Sequence, residues 1–216
     1  MNISAKLFDS DQQIRKAILS EVQKIMTKAM NRATPSIASD IQNLVEEALR
    51  QEPEYTSLIG GVLRAELGIE FPSDVDTVIQ ALMQTLEIKS QPVTINNSGL
   101  KGGFILTMMK SDDLGGVIKQ AAAYVEDYQR GYSLPWLEWL LLKNNQIIVR
   151  GYEVSYKRNK ASRSGMALMI RSNKNWRVPP EYSGSQQNNW TTRAISRIPE
   201  DKIVSIIQRR LQAEIL

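Results

Sequence analysis

The chain has 216 residues, of which 27 are lysine or arginine and 23 are aspartate or glutamate, so its formal net charge is +4. It contains neither cysteine nor histidine, which excludes disulfides, thiolate and imidazole metal ligands, and every catalytic triad or zinc hydrolase that depends on them. With 42% hydrophobic residues, the composition indicates a folded protein of one domain, or of one core with a helical appendage.

The first ninety residues are predicted to be helical. Apolar residues at helical spacing predict a long amphipathic helix that begins near Asp11 and ends near Ala33. Thr34-Pro35 is predicted to cap and start a second helix. Pro53 predicts a third helix, which Gly60-Gly61 should break, and Phe71-Pro72-Ser73 predicts the start of a fourth. Apolar stripes of this kind usually form a core.

After Glu87 the spacing changes to that of strands. Pro92–Asn97 and Phe104–Met109 are predicted strands, with Gly99, Gly102 and Gly103 in the connection between them. This connection lacks the pattern of a phosphate-binding loop, so a turn is the better interpretation.

The next segments carry less information. Ser111–Gly116 is predicted to be a loop. Its adjacent acids, Asp112 and Asp113, lack the spacing of a calcium loop and are expected to face solvent. Ala121–Tyr128 favours a strand.

A long hairpin is predicted over residues 146–171. Leu134–Leu142 should form a short helix before it, and the apolar runs Gln146–Tyr156 and Gly165–Arg171 should pair as antiparallel strands. Their connection, Lys157–Ser164, is basic, and it is too long for a two-residue turn. A loop of this kind between ordered strands is typical of a reaching arm.

An aromatic segment follows the hairpin. Trp176, Tyr182 and Trp190 have large apolar bodies with polar tips, which suits either a core or an interface. Trp190–Ile195 is a predicted helix start, and Pro199-Glu200-Asp201 should begin the last helix. The predicted fold class is therefore α+β, with N-terminal helices packed on an antiparallel sheet with a long β-hairpin, plus a C-terminal helix. Residues 1–90 are the helical region and residues 91–216 the β-rich region of one compact unit.

Positive charge is concentrated between Lys143 and Arg197. The basic residues there are Lys143, Arg150, Lys157, Arg158, Lys160, Arg163, Arg171, Lys174, Arg177, Arg193 and Arg197. Two acids, Glu153 and Glu181, oppose them, so this part carries +9 and the remainder −5. The asymmetry indicates a basic surface that meets nucleic acid or an acidic protein, although a solvated hairpin tip would look the same.

Residues suited to catalysis are few. Glu138, Glu153 and Glu181 are the carboxylates of the distinctive half, and nothing beside them indicates a tuned pKa. The chain has no apolar run near the ~20 residues of a membrane span, and residues 1–6 lack a signal-peptide core. We therefore expect a soluble protein, and an enzyme that uses Glu138 or Asp112 is the least favoured function.

Four segments carry a resemblance to a known class of protein. They are Leu134–Leu142, Gln146–Tyr156, Asn175–Gly184 and Asn188–Ile195. They resemble virion structural proteins of contractile-tailed bacteriophages, of the neck or tail-completion (head-to-tail connector) type. The resemblance implies a non-enzymatic subunit without cofactor or metal. It would form a ring, a hexamer or dodecamer, at the portal–tail junction of the virion, after assembly in the host cytoplasm.

The resemblance also implies partners. They are sister subunits, neighbouring connector, tail-terminator or tube proteins, and DNA that passes through the channel, but no membrane. We expect the arm Lys157–Ser164 and the loop Trp176–Trp190 to make the subunit contacts. The expected interface residues are Lys157, Arg158, Lys160, Arg163, Trp176, Arg177, Tyr182, Trp190 and Arg193. The alternative is a nucleic-acid-binding module that uses the same basic arm.

Overall fold

The computed structural model describes residues 10–96, 99–108, 110–127, 131–157 and 161–215. The α-helices are α1 (Asp11–Gln51), α2 (Pro53–Gly60), α3 (Val62–Leu67), α4 (Ser73–Gln84), α5 (Ser111–Lys119), α6 (Trp136–Leu142), α7 (Trp190–Ser196) and α8 (Glu200–Ile215). The strands are β1 (Glu87–Asn96), β2 (Gly99–Thr107), β3 (Val125–Asp127), β4 (Tyr132–Leu134), β5 (Val149–Ser155) and β6 (Leu168–Trp176). They form three antiparallel pairs, β1–β2, β3–β4 and β5–β6. The predicted α+β class is confirmed.

The contacts of the chain divide it into two units. The first contains the described residues of 10–41, 87–107 and 201–215, and the second those of 42–86 and 108–200. Each unit is therefore built from segments that are distant in sequence. The predicted division at residue 90 follows composition alone and stays a prediction.

Helix α1 does not end at Ala33 as predicted, since it continues through Pro35 to Gln51. A proline inside a helix removes one backbone donor and costs about 3 kcal/mol relative to alanine. The apolar stripe nevertheless runs on without a change of spacing, because Ala33, Ile37 and Ile41 are all buried. Burial of that stripe offsets the cost of the proline.

All three glycines predicted to lie in a connection are instead part of β2, which begins at Gly99. Gly103 pairs with Gln91, and Gly102 lies where the register shifts. A Cβ atom at Gly102 would stand 3.1 Å from Cγ2 of Val93 and 3.6 Å from the sulfur of Met30 on α1. The missing side chain therefore lets the β1–β2 pair lie close to α1. Local turn patterns in the sequence carry no information about this long-range contact.

The predicted loop Ser111–Gly116 is also wrong, because it is the first part of α5. Asp112 and Asp113 lie in the first turn of that helix, where the helix dipole favours negative charge. The predicted strand at Ala121–Tyr128 is correct only in part: Ala121–Ala123 is a 3₁₀ turn, and β3 begins at Val125.

In the first unit, the C-terminal helix α8 is attached to α1 by charge. The carboxylate of Asp40 accepts hydrogen bonds from Arg210 at 2.7 and 2.8 Å and from Arg209 at 2.9 Å. The hydrogen bond from Arg210 is the main cause that lowers the pKa of Asp40, against the raising effect of burial. The predicted start of α8 at Pro199-Glu200-Asp201 agrees with the structure, but none of its side chains is buried.

The core of the second unit is built from α2, α3, α4 and α6. Helix α6 begins after Pro135 as predicted. Its fully buried side chains are Trp136, Leu137, Leu140 and Leu141. The Nε1 atom of Trp136 donates to the carbonyl of Ala122 at 2.9 Å, so the polar tip of this tryptophan is satisfied inside the unit. No helix among the described residues has the length and apolarity required to cross a membrane.

Candidate subunit-contact surface

The predicted long hairpin is present as the β5–β6 pair. Its register runs from Val149 opposite Trp176 to Ser155 opposite Leu168. A bulge interrupts it, and Gly151 takes a positive φ of 75° there, a conformation that glycine adopts without strain. In the part of the chain that the structure describes, neither strand has a third strand beside it. Both outer edges therefore present backbone donors and acceptors without a strand partner.

The basic loop at the tip of the hairpin was predicted to reach outward. Arg158 and Lys160 lie outside the described residues, and Lys157 is exposed. The described side of the loop lies on the end of α3, because Nε of Arg163 is 3.2 Å from the place where a Cβ of Gly68 would stand. Ser164 and Ala167 are buried. Ala161 and Arg163 are nevertheless exposed, so this half of the loop lies on its own unit and still presents these side chains to solvent.

Glu66 on α3 holds the hairpin in place. One carboxylate oxygen accepts a hydrogen bond from the hydroxyl of Tyr156, and the other accepts from Nε1 of Trp176 at 2.9 Å. Burial, together with donation to this carboxylate, raises the pKa of Tyr156 above its ordinary value. No local pattern in the sequence points to Glu66, since its two partners lie 90 and 110 positions away.

Two of the predicted interface tryptophans belong to the core. Trp176 is buried and its ring packs edge-on against Trp139, with centroids 5.9 Å apart. Trp190 is 0% exposed, and its Nε1 donates to the carbonyl of Leu49 at 3.1 Å. That carbonyl would ordinarily bond to the backbone nitrogen four residues later, which is Pro53 and has no hydrogen. The indole supplies the missing donor. The interface prediction is therefore corrected for both residues.

Arg193 is half-buried and forms its ion pair within its own unit. It lies on α7, whose start is fixed by a capping box in which Asn189 and Thr192 exchange hydrogen bonds. Its Nε donates to Oε1 of Glu54 at 3.0 Å, and Nη2 contacts the same oxygen. The side chain of Glu54 is 1% exposed, so the guanidinium serves to neutralise a buried carboxylate. Arg197 pairs in the same way with Glu52 at 2.8 Å.

Ion pairs account for part of the concentrated positive charge. Among the described residues of this set, they join Lys143 to Glu138, Lys174 to Glu153, Arg193 to Glu54 and Arg197 to Glu52. Glu52 and Glu54 were not predicted, because their only signal was two acids beside the helix-starting Pro53. Tyr182, the remaining predicted aromatic, is half-buried, and its carbonyl accepts from Arg193 at 3.4 Å.

What remains accessible is a set of basic and apolar side chains on or beside the hairpin, which we call the hairpin surface. Its members are Ile147, Arg150, Tyr156, Lys157, Ile170, Arg171 and Arg177. Within the described ranges, no carboxylate pairs with any of its four cations. Ile147, Tyr156 and Ile170 are between 44% and 55% exposed. Of the nine predicted interface residues, the hairpin surface retains Lys157 and Arg177.

Gly184, in the loop before α7, has no room for a side chain. A Cβ atom there would stand 2.6 Å from the carbonyl oxygen of Leu140 and 2.6 Å from Cβ of Asn189. We expect Gly184→Ala to lower the free energy of unfolding by about 1–3 kcal/mol, since backbone atoms cannot move aside cheaply. The measurement is urea unfolding followed by circular dichroism.

The matched control is Gly116→Ala. Gly116 is an exposed residue of α5, and nothing lies within 4 Å of an added Cβ. This change should leave stability unaltered or raise it by about 0.5–1 kcal/mol, because alanine is the better helix former. Equal effects of the two substitutions would contradict the close packing at Gly184.

Comparison of the chain with protein-family models, with curated proteins and with solved structures gives no match.

Proposed function

We propose that this chain is a structural subunit of the neck of a contractile-tailed bacteriophage, and that copies of it form a ring between the portal side and the tail. The resemblance of four segments supplies the biological setting. The observation that carries the proposal is the β5–β6 hairpin, whose edges have no strand partner in the described residues while its apolar side chains are exposed.

Two strands alone are marginally stable in water, and an open edge that bears exposed apolar residues favours pairing with another chain. Glu66 ties the hairpin to α3, so the edge is held in one orientation. When a rigid surface of one copy contacts a different surface of the next copy, the same contact repeats from copy to copy around an axis. The copies form a closed ring when the rotation between neighbours completes a full circle.

Charge favours the same arrangement. The hairpin surface carries Arg150, Lys157, Arg171 and Arg177, which pair with no carboxylate among the described residues. The chain outside Lys143–Arg197 has a net charge of −5. The basic surface of one copy can therefore meet an acidic surface of its neighbour. Charge complementarity of this kind selects the partner and the register of contact more than it adds affinity.

The test is the mass and shape of the purified full chain. Native mass spectrometry over a range of concentrations should show a closed oligomer of six or twelve copies, and negative-stain images should show a ring with a central channel. The variant Ile170→Lys, at a position 44% exposed, should shift the population toward monomer because it places charge inside the contact. Phe71→Lys, at a position 56% exposed outside the hairpin surface, is the matched control and should leave the ring intact.

Three outcomes would overturn the proposal. A monomer at every concentration would mean that the hairpin surface does not join copies of the chain. An open filament or a two-fold dimer has the wrong symmetry for a neck ring. Equal oligomers from the wild type and Ile170→Lys would mean that the contact lies elsewhere.

A nucleic-acid-binding module is the second candidate, and it is favoured by the four cations of the hairpin surface, for which the described part of the chain supplies no carboxylate partner. It predicts that monomers bind DNA with an affinity that falls steeply with salt. Arg171→Ala and Arg177→Ala should each reduce the salt dependence of DNA affinity. An unchanged salt dependence in both variants would exclude DNA binding by the hairpin surface.

A further inference from the structure

An open groove of about 660 Å³ runs along one side of α1 in the first unit. The residues that line it are Gln23, Lys24, Thr27, Lys28, Asn31 and Arg32. None of them was singled out by the sequence, and none belongs to the hairpin surface. The groove is therefore a separate site, and it does not depend on the proposed ring.

The lining residues form two parallel rows. Lys24, Lys28 and Arg32 are four positions apart, so their side chains follow one another along the helix at intervals of about 6 Å. The second row is polar and fixed against β1. In it, Nε2 of Gln23 donates to the carbonyl of Val93 at 2.6 Å, and Oδ1 of Asn31 accepts from Ser90 at 2.9 Å.

The cations of the first row have few partners of their own. Lys28 and Arg32 are exposed, and no carboxylate among the described residues pairs with either. Lys24 contacts Glu21 at 3.1 Å, but the two side chains are 71% and 65% exposed, and such surface pairs contribute little. Like charges four residues apart destabilise a helix slightly. The row of cations therefore lowers the stability of α1 slightly, and no strong ion pair within the described residues offsets this loss. Such a row is typical of a surface that binds an anionic partner.

We infer that this groove binds the phosphate backbone of nucleic acid, without reading its sequence. A straight row of evenly spaced cations matches a polymer whose charges recur regularly, at about 3.4 Å per nucleotide along each strand, so cations about 6 Å apart meet every second phosphate. The guanidinium of Arg32 can hold two phosphate oxygens at once.

The experiment is a salt titration of binding between the full chain and a fluorescently labelled DNA duplex of mixed sequence. The variants are Lys28→Ala, Arg32→Ala and the double variant. Each lost phosphate contact should reduce the slope of log affinity against log salt by about 0.9, and the double variant by about 1.8. Arg32→Lys should keep most of the slope, because the charge remains.

Two control variants separate this groove from the rest of the chain. Lys202→Ala removes one exposed positive charge from α8 in the same unit and should leave the slope unchanged. Lys119→Ala, at an exposed position of α5 in the second unit, should also leave it unchanged. Thermal unfolding should be the same for all of these variants, since Lys28 and Arg32 have no carboxylate partner to lose in the described part of the chain.

Three results would overturn the inference. One is that DNA fails to bind even at low salt, and another is that the double variant keeps the wild-type slope. The third is that polyglutamate displaces DNA at an equal concentration of negative charge, which would assign the groove to an acidic protein partner. All three are read from DNA binding, so they remain distinct from failure of the ring, which is read from mass.

Discussion

Replacement of Trp190 by alanine is expected to lower the free energy of unfolding by about 3–5 kcal/mol, the usual cost of removing a fully buried large aromatic side chain. Trp190 is 0% exposed, so the lost volume becomes a cavity that the surrounding side chains can fill only in part. The indole also satisfies the carbonyl of Leu49. Urea unfolding monitored by far-ultraviolet circular dichroism measures the loss.

Two further variants separate packing from the hydrogen bond. Trp190→Phe keeps most of the apolar body and removes the donor, so it should cost about 1–3 kcal/mol for an unsatisfied buried carbonyl. Phe71→Ala, at a position 56% exposed, should stay within about 0.5 kcal/mol of the wild type. If Trp190→Ala were as mild as Phe71→Ala, the placement of Trp190 in the core would be wrong.

The second large effect is expected at the buried ion pair. Arg193→Met should lower the free energy of unfolding by about 3–5 kcal/mol, because it leaves the carboxylate of Glu54 buried without a countercharge. The other carboxylate oxygen, Oε2, is already buried and has no hydrogen-bond partner among the described residues. Nothing else in this part of the structure therefore compensates for loss of the guanidinium. Equilibrium unfolding in urea at neutral pH measures the effect.

A double-mutant cycle tests the cause. Glu54→Gln in the Arg193→Met background removes the uncompensated charge, so the double variant should be more stable than Arg193→Met alone. Lys174→Met breaks the pair with Glu153, in which the lysine is 74% exposed, and should leave stability unchanged. Additive effects at Arg193 and Glu54 would show that the two side chains do not depend on each other.

The sequence correctly predicted those elements whose first or last residue is determined by neighbouring residues in the chain. Helix α7 begins at Trp190 because Asn189 caps it, and α6 begins directly after Pro135. The hairpin followed from two apolar runs on either side of a basic loop. In each of these cases the deciding residues lie within a few positions of the boundary, so the sequence contains them.

The errors share a different origin. Pro35 looks like a boundary until the burial of Ile37 and Ile41 is known, and Gly102 looks like a turn until Met30 and Val93 are seen beside it. The candidate site shows the same limit. The excess of arginine was visible, but Glu54 lies 139 positions from Arg193, so the ion pair between them could not be predicted from neighbouring residues.

The bond from Trp190 to Leu49 joins residues 141 positions apart, and this has a bearing on biosynthesis. When the helices between residues 42 and 86 emerge from the ribosome, the indole, Arg193 and Arg197 have not yet been translated. Until then the Leu49 carbonyl and the carboxylates of Glu52 and Glu54 must remain hydrated, since none of them can be withdrawn from water alone. The nascent second unit can therefore close only after α7 and Arg197 have been released, which leaves its apolar helices in need of protection by chaperones during translation.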